Sequence, residues 1–186
     1  ASISSALTPF LDRTGALTAP NANLGAQRFG SAVTYGRFND DDLDDLAISA
    51  PTQGVNPAAT SGSVYLYFGS VFGISTVPDV TITSTVANGR FGAGLTAVRW
   101  SSSTRDDLVV GAPGSGRISI FRGGAITAGP RDAATADATI IGSTGFFTAG
   151  SLGAALATAD VDGDGTPDLV ASVPTGGSNN GGAIVV

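Results

Sequence analysis

The sequence predicts an all-β chain of β-propeller blades, each a sheet of four antiparallel strands, with the last blade incomplete within the chain. Three observations point there. Arg28–Phe38 (RFGSAVTYGRF) matches Arg90–Trp100 (RFGAGLTAVRW) and, more weakly, Ser151–Val161 (SLGAALATADV), so three copies open 62 and then 61 residues apart. Each copy is a series of short apolar or alternating runs, and the 27 glycines and 9 prolines fall mostly between those runs. No window carries the apolar stripe of an amphipathic helix.

The first unit, residues 27–88, begins with SAVTYGRF (Ser31–Phe38), which alternates small or polar with larger residues. DLAISA (Asp45–Ala50) is a compact apolar strand stopped by Pro51. SVYLYF (Ser63–Phe68) has period two, with Val64, Leu66 and Phe68 on one face and Tyr65 and Tyr67 on the other. DVTITST (Asp79–Thr85) supplies a fourth strand. The second unit, 89–149, repeats the order through DDLVVGAP, SGRISIFRG and DATIIG. The third, 150–186, runs through PDLVASVP to NGGAIVV and holds three strands. Residues 1–26 have no counterpart, but GALTA (Gly15–Ala19) precedes Phe29-Gly30 much as TITST precedes Phe91-Gly92. That segment is the candidate fourth strand for the third unit, within one chain or, with less strain, between two copies. TQGVNPAATSG (Thr52–Gly62) and GPRDAATAD (Gly129–Asp137) read as rim loops.

Composition narrows the chemistry. The 186 residues contain no Cys, His, Met, Lys or Glu; every acid is Asp and every base Arg. Structural zinc, a Ser-His-Asp relay, a Cys or His nucleophile and a Lys Schiff base are therefore excluded, and the expectation is a non-enzyme. A net charge of −6 argues against nucleic acid and for a cation as partner. The longest apolar runs fall far short of the ~20 residues a spanning helix needs, so no membrane insertion is expected. The start, ASISSALTPF, and the lack of Met fit removal of a signal peptide, or a fragment of a longer product.

The paired landmarks carry a family resemblance. Phe29-Gly30 with Ser49-Ala50-Pro51, and Phe91-Gly92 with Gly111-Ala112-Pro113, resemble FG-GAP repeats, the blades of integrin alpha-chain heads and of many secreted bacterial proteins. The third copy departs, with Leu152 for the Phe and Ser172-Val173-Pro174 for the triplet. The resemblance implies a propeller and calcium in the loop between the first two strands of a blade.

That loop is plain in the third copy. DVDGDGTPD places Asp160, Asp162, Asp164 and Asp168 at positions one, three, five and nine, with Gly165 at six for a sharp turn and the Thr166 carbonyl at seven. Short carboxylates at alternate positions of a tight turn converge on a point, and an all-oxygen set of flexible coordination number suits Ca2+ better than Mg2+. The first copy keeps Asn39, Asp41 and Asp45 as a second, poorer oxygen set but has Arg37 at position one and Asp42 in place of the Gly. The second has Arg99, Ser101, Ser103 and Asp107. The shared Arg suggests a guanidinium standing in for the ion, Arg37 forking onto Asp45 and Arg99 onto Asp107. Phe29 and Phe91 are expected between blades, and Tyr65, Tyr67 and Trp100 in sheet packing rather than as a sugar platform.

The functional reading is a secreted or cell-surface calcium-binding protein with a structural or adhesive role, self-assembling head-to-tail into a ring or filament. Its alternatives are a lectin-like module for a glycan or extracellular protein, and a fragment of a larger propeller.

Overall fold

A computed structural model describes residues 17–20, 27–54, 60–102, 104–142, 151–175 and 181–186. These form twelve strands in three sheets. The first sheet contains β1 (Val33–Gly36), β2 (Asp45–Ala50), β3 (Ser63–Tyr67) and β4 (Val80–Thr83) as an antiparallel meander. The second contains β5 (Gly94–Val98), β6 (Asp107–Ala112), β7 (Arg117–Phe121) and β9 (Ala138–Ile141) in the same arrangement. The third has β10 (Leu156–Ala159), β11 (Asp168–Val173) and β12 (Gly182–Val185). These are the expected blades. Among the described residues the sheets do not close into a barrel, and no helix is long and apolar enough to cross a membrane.

One expectation is corrected. The first sheet has five strands, because β8 (Gly129–Asp132) pairs parallel with β4, Val80 opposite Gly129 and Thr83 opposite Asp132. The segment read as a rim loop of the second unit thus closes the outer edge of the first. An outer strand leaves N–H and C=O groups unpaired, and β8 satisfies one row of them. Pro130 is tolerated because β8 is itself an edge.

Strand alternation gives each sheet two apolar faces, and the blades stack through them. Ala47, Val64, Leu66, Val80 and Ile82 of the first blade pack against Phe91, Leu95, Leu108, Val110 and Phe121 of the second. Val109, Ile118 and Ile120 on the second blade's other face meet Leu152, Leu169, Ala171 and Val173 of the third. The first blade's remaining face holds Ile48, Tyr65 and Tyr67, fully or nearly buried, with Phe29 and Leu17 packed on them. Phe29 lies tilted against Tyr65 at 5.8 Å, and Phe91 edge-on to Phe121 at 6.4 Å. Tyr65 and Tyr67 are thus packing residues, as expected. Leu17–Pro20 contains no strand, and Leu17 packs on the first blade. The rest of the candidate complementing strand, Gly15 and Ala16, lies outside the described residues.

The repeat landmarks are the joints of this stack. Within each blade the motif glycine donates its N–H to the first carbonyl of the triplet: Gly30 to Ser49 (2.9 Å), Gly92 to Gly111 (2.9 Å) and Gly153 to Ser172 (3.0 Å). All three glycines sit at φ between +83° and +90°, where a side chain is strained. Between blades Gly92 and Gly153 meet the preceding triplet. A Cβ on Gly92 would lie 2.9 Å from Ser49 Cβ, and one on Gly111 would lie 1.9 Å from the Gly153 carbonyl oxygen. The motif recurs because one short segment must both turn left-handed and let two backbones touch.

Candidate metal centre

The three loops between first and second strands lie beside one another and share a base. Their position-nine Asp opens β2, β6 and β11 and folds its carboxylate back onto the turn. Asp45 accepts the N–H groups of Phe38 (2.8 Å) and Asn39 (3.2 Å), Asp107 that of Ser101 (2.8 Å), and Asp168 that of Val161 (2.8 Å). The position is therefore a turn-former first, whatever else it binds.

In the third loop carboxylate oxygens of Asp160, Asp162 and Asp168 all come within 4.8 Å of one another. Asp160 accepts the N–H groups of Gly163 (2.7 Å) and Gly165 (3.0 Å), which curls the chain around its side chain. Gly163 and Gly165 adopt φ of +81° and +86°, conformations open to glycine at no steric cost. Asp164 is not one of the converging three; its Oδ1 accepts the Thr166 N–H at 2.7 Å. Asp168 Oδ1 receives no hydrogen bond among the described residues, whereas Asp45 Oδ1 and Asp107 Oδ1 are taken by the N–H groups of Gly69 and Gly123, each at 2.9 Å. Three anionic oxygens on one point, two from exposed side chains and one from a half-buried one, fit a hard divalent cation. Thr166 is exposed and sits in the same turn.

The first loop uses its oxygens internally. Asn39 Nδ2 donates to Asp41 Oδ2 (2.7 Å), Asp41 N–H donates to Asn39 Oδ1 (2.9 Å), and Asp41 Oδ1 accepts from Leu43 (2.8 Å). Asp45 is 1% exposed, and that burial pushes its carboxyl above the usual carboxylate value against the opposing pull of the Gly69, Phe38 and Asn39 N–H groups. In the second loop Asp107, also 1% exposed, accepts from both the N–H and the hydroxyl of Ser101. Ser103 lies outside the described residues.

The guanidinium pairing differs from the expected one by one residue. Arg37 Nε lies 3.5 Å from Asp44, and Arg99 Nε 2.8 Å from Asp106, not from Asp45 and Asp107. The reason is strand alternation. Asp45 and Asp107 turn inward to the loop N–H groups, so the preceding Asp of each doublet faces outward to the Arg. A guanidinium does lie across the first loop, but it comes from the next blade. Arg105 donates to Asp42 Oδ1 and to the Asp40 carbonyl, both at 3.1 Å, with Asp40 Oδ1 at 3.6 Å. It stands at position seven of its own loop, where the third loop offers the Thr166 carbonyl; only the backbone counts at that position in the repeat, so the alignment carried no signal for the side chain.

Known proteins with similar sequence place this geometry in context. A family model for the FG-GAP repeat matches residues 152–186, the span that contains the aspartate loop. Phosphatidylinositol-glycan-specific phospholipase D from Bos taurus is 42% identical over 94 residues, covering 48% of this chain and 11% of the relative. The Homo sapiens protein of that name is 30% identical over 167 residues, covering 83% of this chain and 20% of the relative. Integrin alpha-IIb from Mus musculus is 34% identical over 98 residues, 51% of this chain and 9% of the relative. The chain thus spans between 9% and 20% of the length of these relatives.

Proposed function

We propose, from the premise that this chain belongs to the FG-GAP repeat family, that its third blade binds one calcium ion through Asp160, Asp162 and Asp168, with Asp164 and the Thr166 carbonyl completing the set. The ion's role is structural: it neutralises clustered carboxylates and fixes the turn that starts β11. The convergence of three carboxylates within 4.8 Å carries this reading. Asn39, Asp41 and Asp45 are assigned no ion, because that set holds two carboxylates rather than three and Arg105 neutralises the loop from outside. The setting is extracellular, where calcium is abundant enough for a structural site of modest affinity. The chain is a non-enzymatic structural or adhesive element; the activity named for its phospholipase relatives belongs to proteins that it matches over a fifth of their length or less.

Calorimetric titration with calcium tests the site. The expected result is one ion per chain, lost in Asp162→Asn and retained in Asp41→Asn. Two ions, or one ion insensitive to Asp162→Asn, would overturn the assignment.

The second reading, a fragment of a larger propeller, is favoured by the length of the relatives and by a third-blade face that no described residue covers. Val185 and Val186 are 54% and 53% exposed there. Either way that face takes a further blade, from a second copy of this chain in the reading preferred here.

A further inference from the structure

We infer that Trp100 is a positioning residue for the third blade's cation loop, and that the metal-poor second loop serves as a brace for the loops on either side. The inference rests on the calcium reading of that loop and concerns what organises it. Trp100 occupies position two of the second loop, where the first has Phe38 and the third Val161. Its ring packs against the buried cluster that joins the second and third blades. From there its Nε1 donates to the Pro167 carbonyl at 2.6 Å.

Pro167 stands between Thr166 and Asp168, the candidate ligands at positions seven and nine. Its ring already fixes φ, and a hydrogen bond on its carbonyl limits rotation about ψ. The direction in which Asp168 leaves the turn is thereby set from outside the loop. Among the described residues this is the hydrogen bond that ties residues 160–168 to a neighbouring blade. The base behind Trp100 is firm, since both polar groups of Ser101 engage the buried Asp107, which also holds Gly123. On the other side the same loop sends Arg105 to Asp40 and Asp42 of the first blade. Without its ion the third loop carries mutually repelling carboxylates, and a tether that orders positions seven to nine beforehand lowers the entropic cost of assembling the site.

The chain contains one Trp, so biosynthetic replacement of Trp by benzothienylalanine alters position 100 alone. The analogue keeps the ring's shape and loses the N–H donor. Calcium affinity by titration calorimetry should fall about three- to tenfold, the range for one lost net hydrogen bond. The thermal unfolding midpoint in chelator should fall by no more than about 2–4 °C, the worth of one net hydrogen bond at this size. Trp100→Phe, which keeps an apolar ring, should show a similar loss, with folding checked by circular dichroism. In the parent, calcium should shift indole fluorescence, and Asp162→Asn should abolish that shift. Equal calcium affinity in parent and analogue, or a calcium-insensitive indole, would overturn the inference alone. A parent that takes up no calcium overturns the metal reading and this inference with it.

Discussion

Tyr67 is fully buried, and its hydroxyl has no hydrogen-bond partner among the described residues. Burial, with a smaller contribution from Tyr65, pushes its pKa up to about 12. The neutral form is favoured in the folded protein, so the unfolded chain ionises first as pH rises. Stability is therefore unaffected below about pH 10 and falls as pH climbs from there through about 12, by an amount on the order of 2 kcal/mol. Urea unfolding at about pH 9 and about pH 11 should show about half of that loss, and Tyr67→Phe should remove this residue's share of it. At neutral pH Tyr67→Phe should stabilise the fold by about 1 kcal/mol, because it deletes an unsatisfied buried group. At this scale the sequence was only partly legible. The converging aspartates were readable because their spacing is local, and a tight turn leaves little choice of direction. The Arg partners were not, since in a doublet such as Asp44-Asp45 the choice depends on which residue the strand turns inward.

The blade joint is a property of elements, and Gly111 marks the close approach of the second blade to the third. A Cβ there would sit 1.9 Å from the Gly153 carbonyl oxygen, backbone against backbone, with no flexible side chain to yield. Gly111→Ala should cost about 3 kcal/mol and loosen the second blade from the third. Gly30→Ala is the control: its φ is +86° but a Cβ would meet nothing within 4 Å, so it should cost only about 1–2 kcal/mol of conformational strain. Chemical denaturation of both variants separates close approach from backbone conformation. The eleven antiparallel strands of the meanders were readable from period-two alternation and from repetition. β8 was not, because Gly-Pro-Arg-Asp has no strand pattern of its own, and its pairing depends on an edge about fifty residues earlier.

For the whole molecule, two ends of the stack differ. The first blade's outer face is covered in part by Leu17 and Phe29, while the third presents Val185 and Val186 to solvent beside the edge of β12, which has no partner strand among the described residues. An open apolar strand edge of this kind invites association. Light scattering in calcium should give multiples of 18.3 kDa that rise with concentration, and chelator should reduce them. A constant 18.3 kDa in calcium would leave the larger-propeller reading in its place. β8 has a further consequence for how the stack comes into being. During synthesis the first sheet stays one strand short until Asp132 has left the ribosome, by which time the residues of β5, β6 and β7 have all been made. Neighbouring repeats therefore mature as a pair, and a nascent chain halted between them would expose the raw border of β4 to its surroundings.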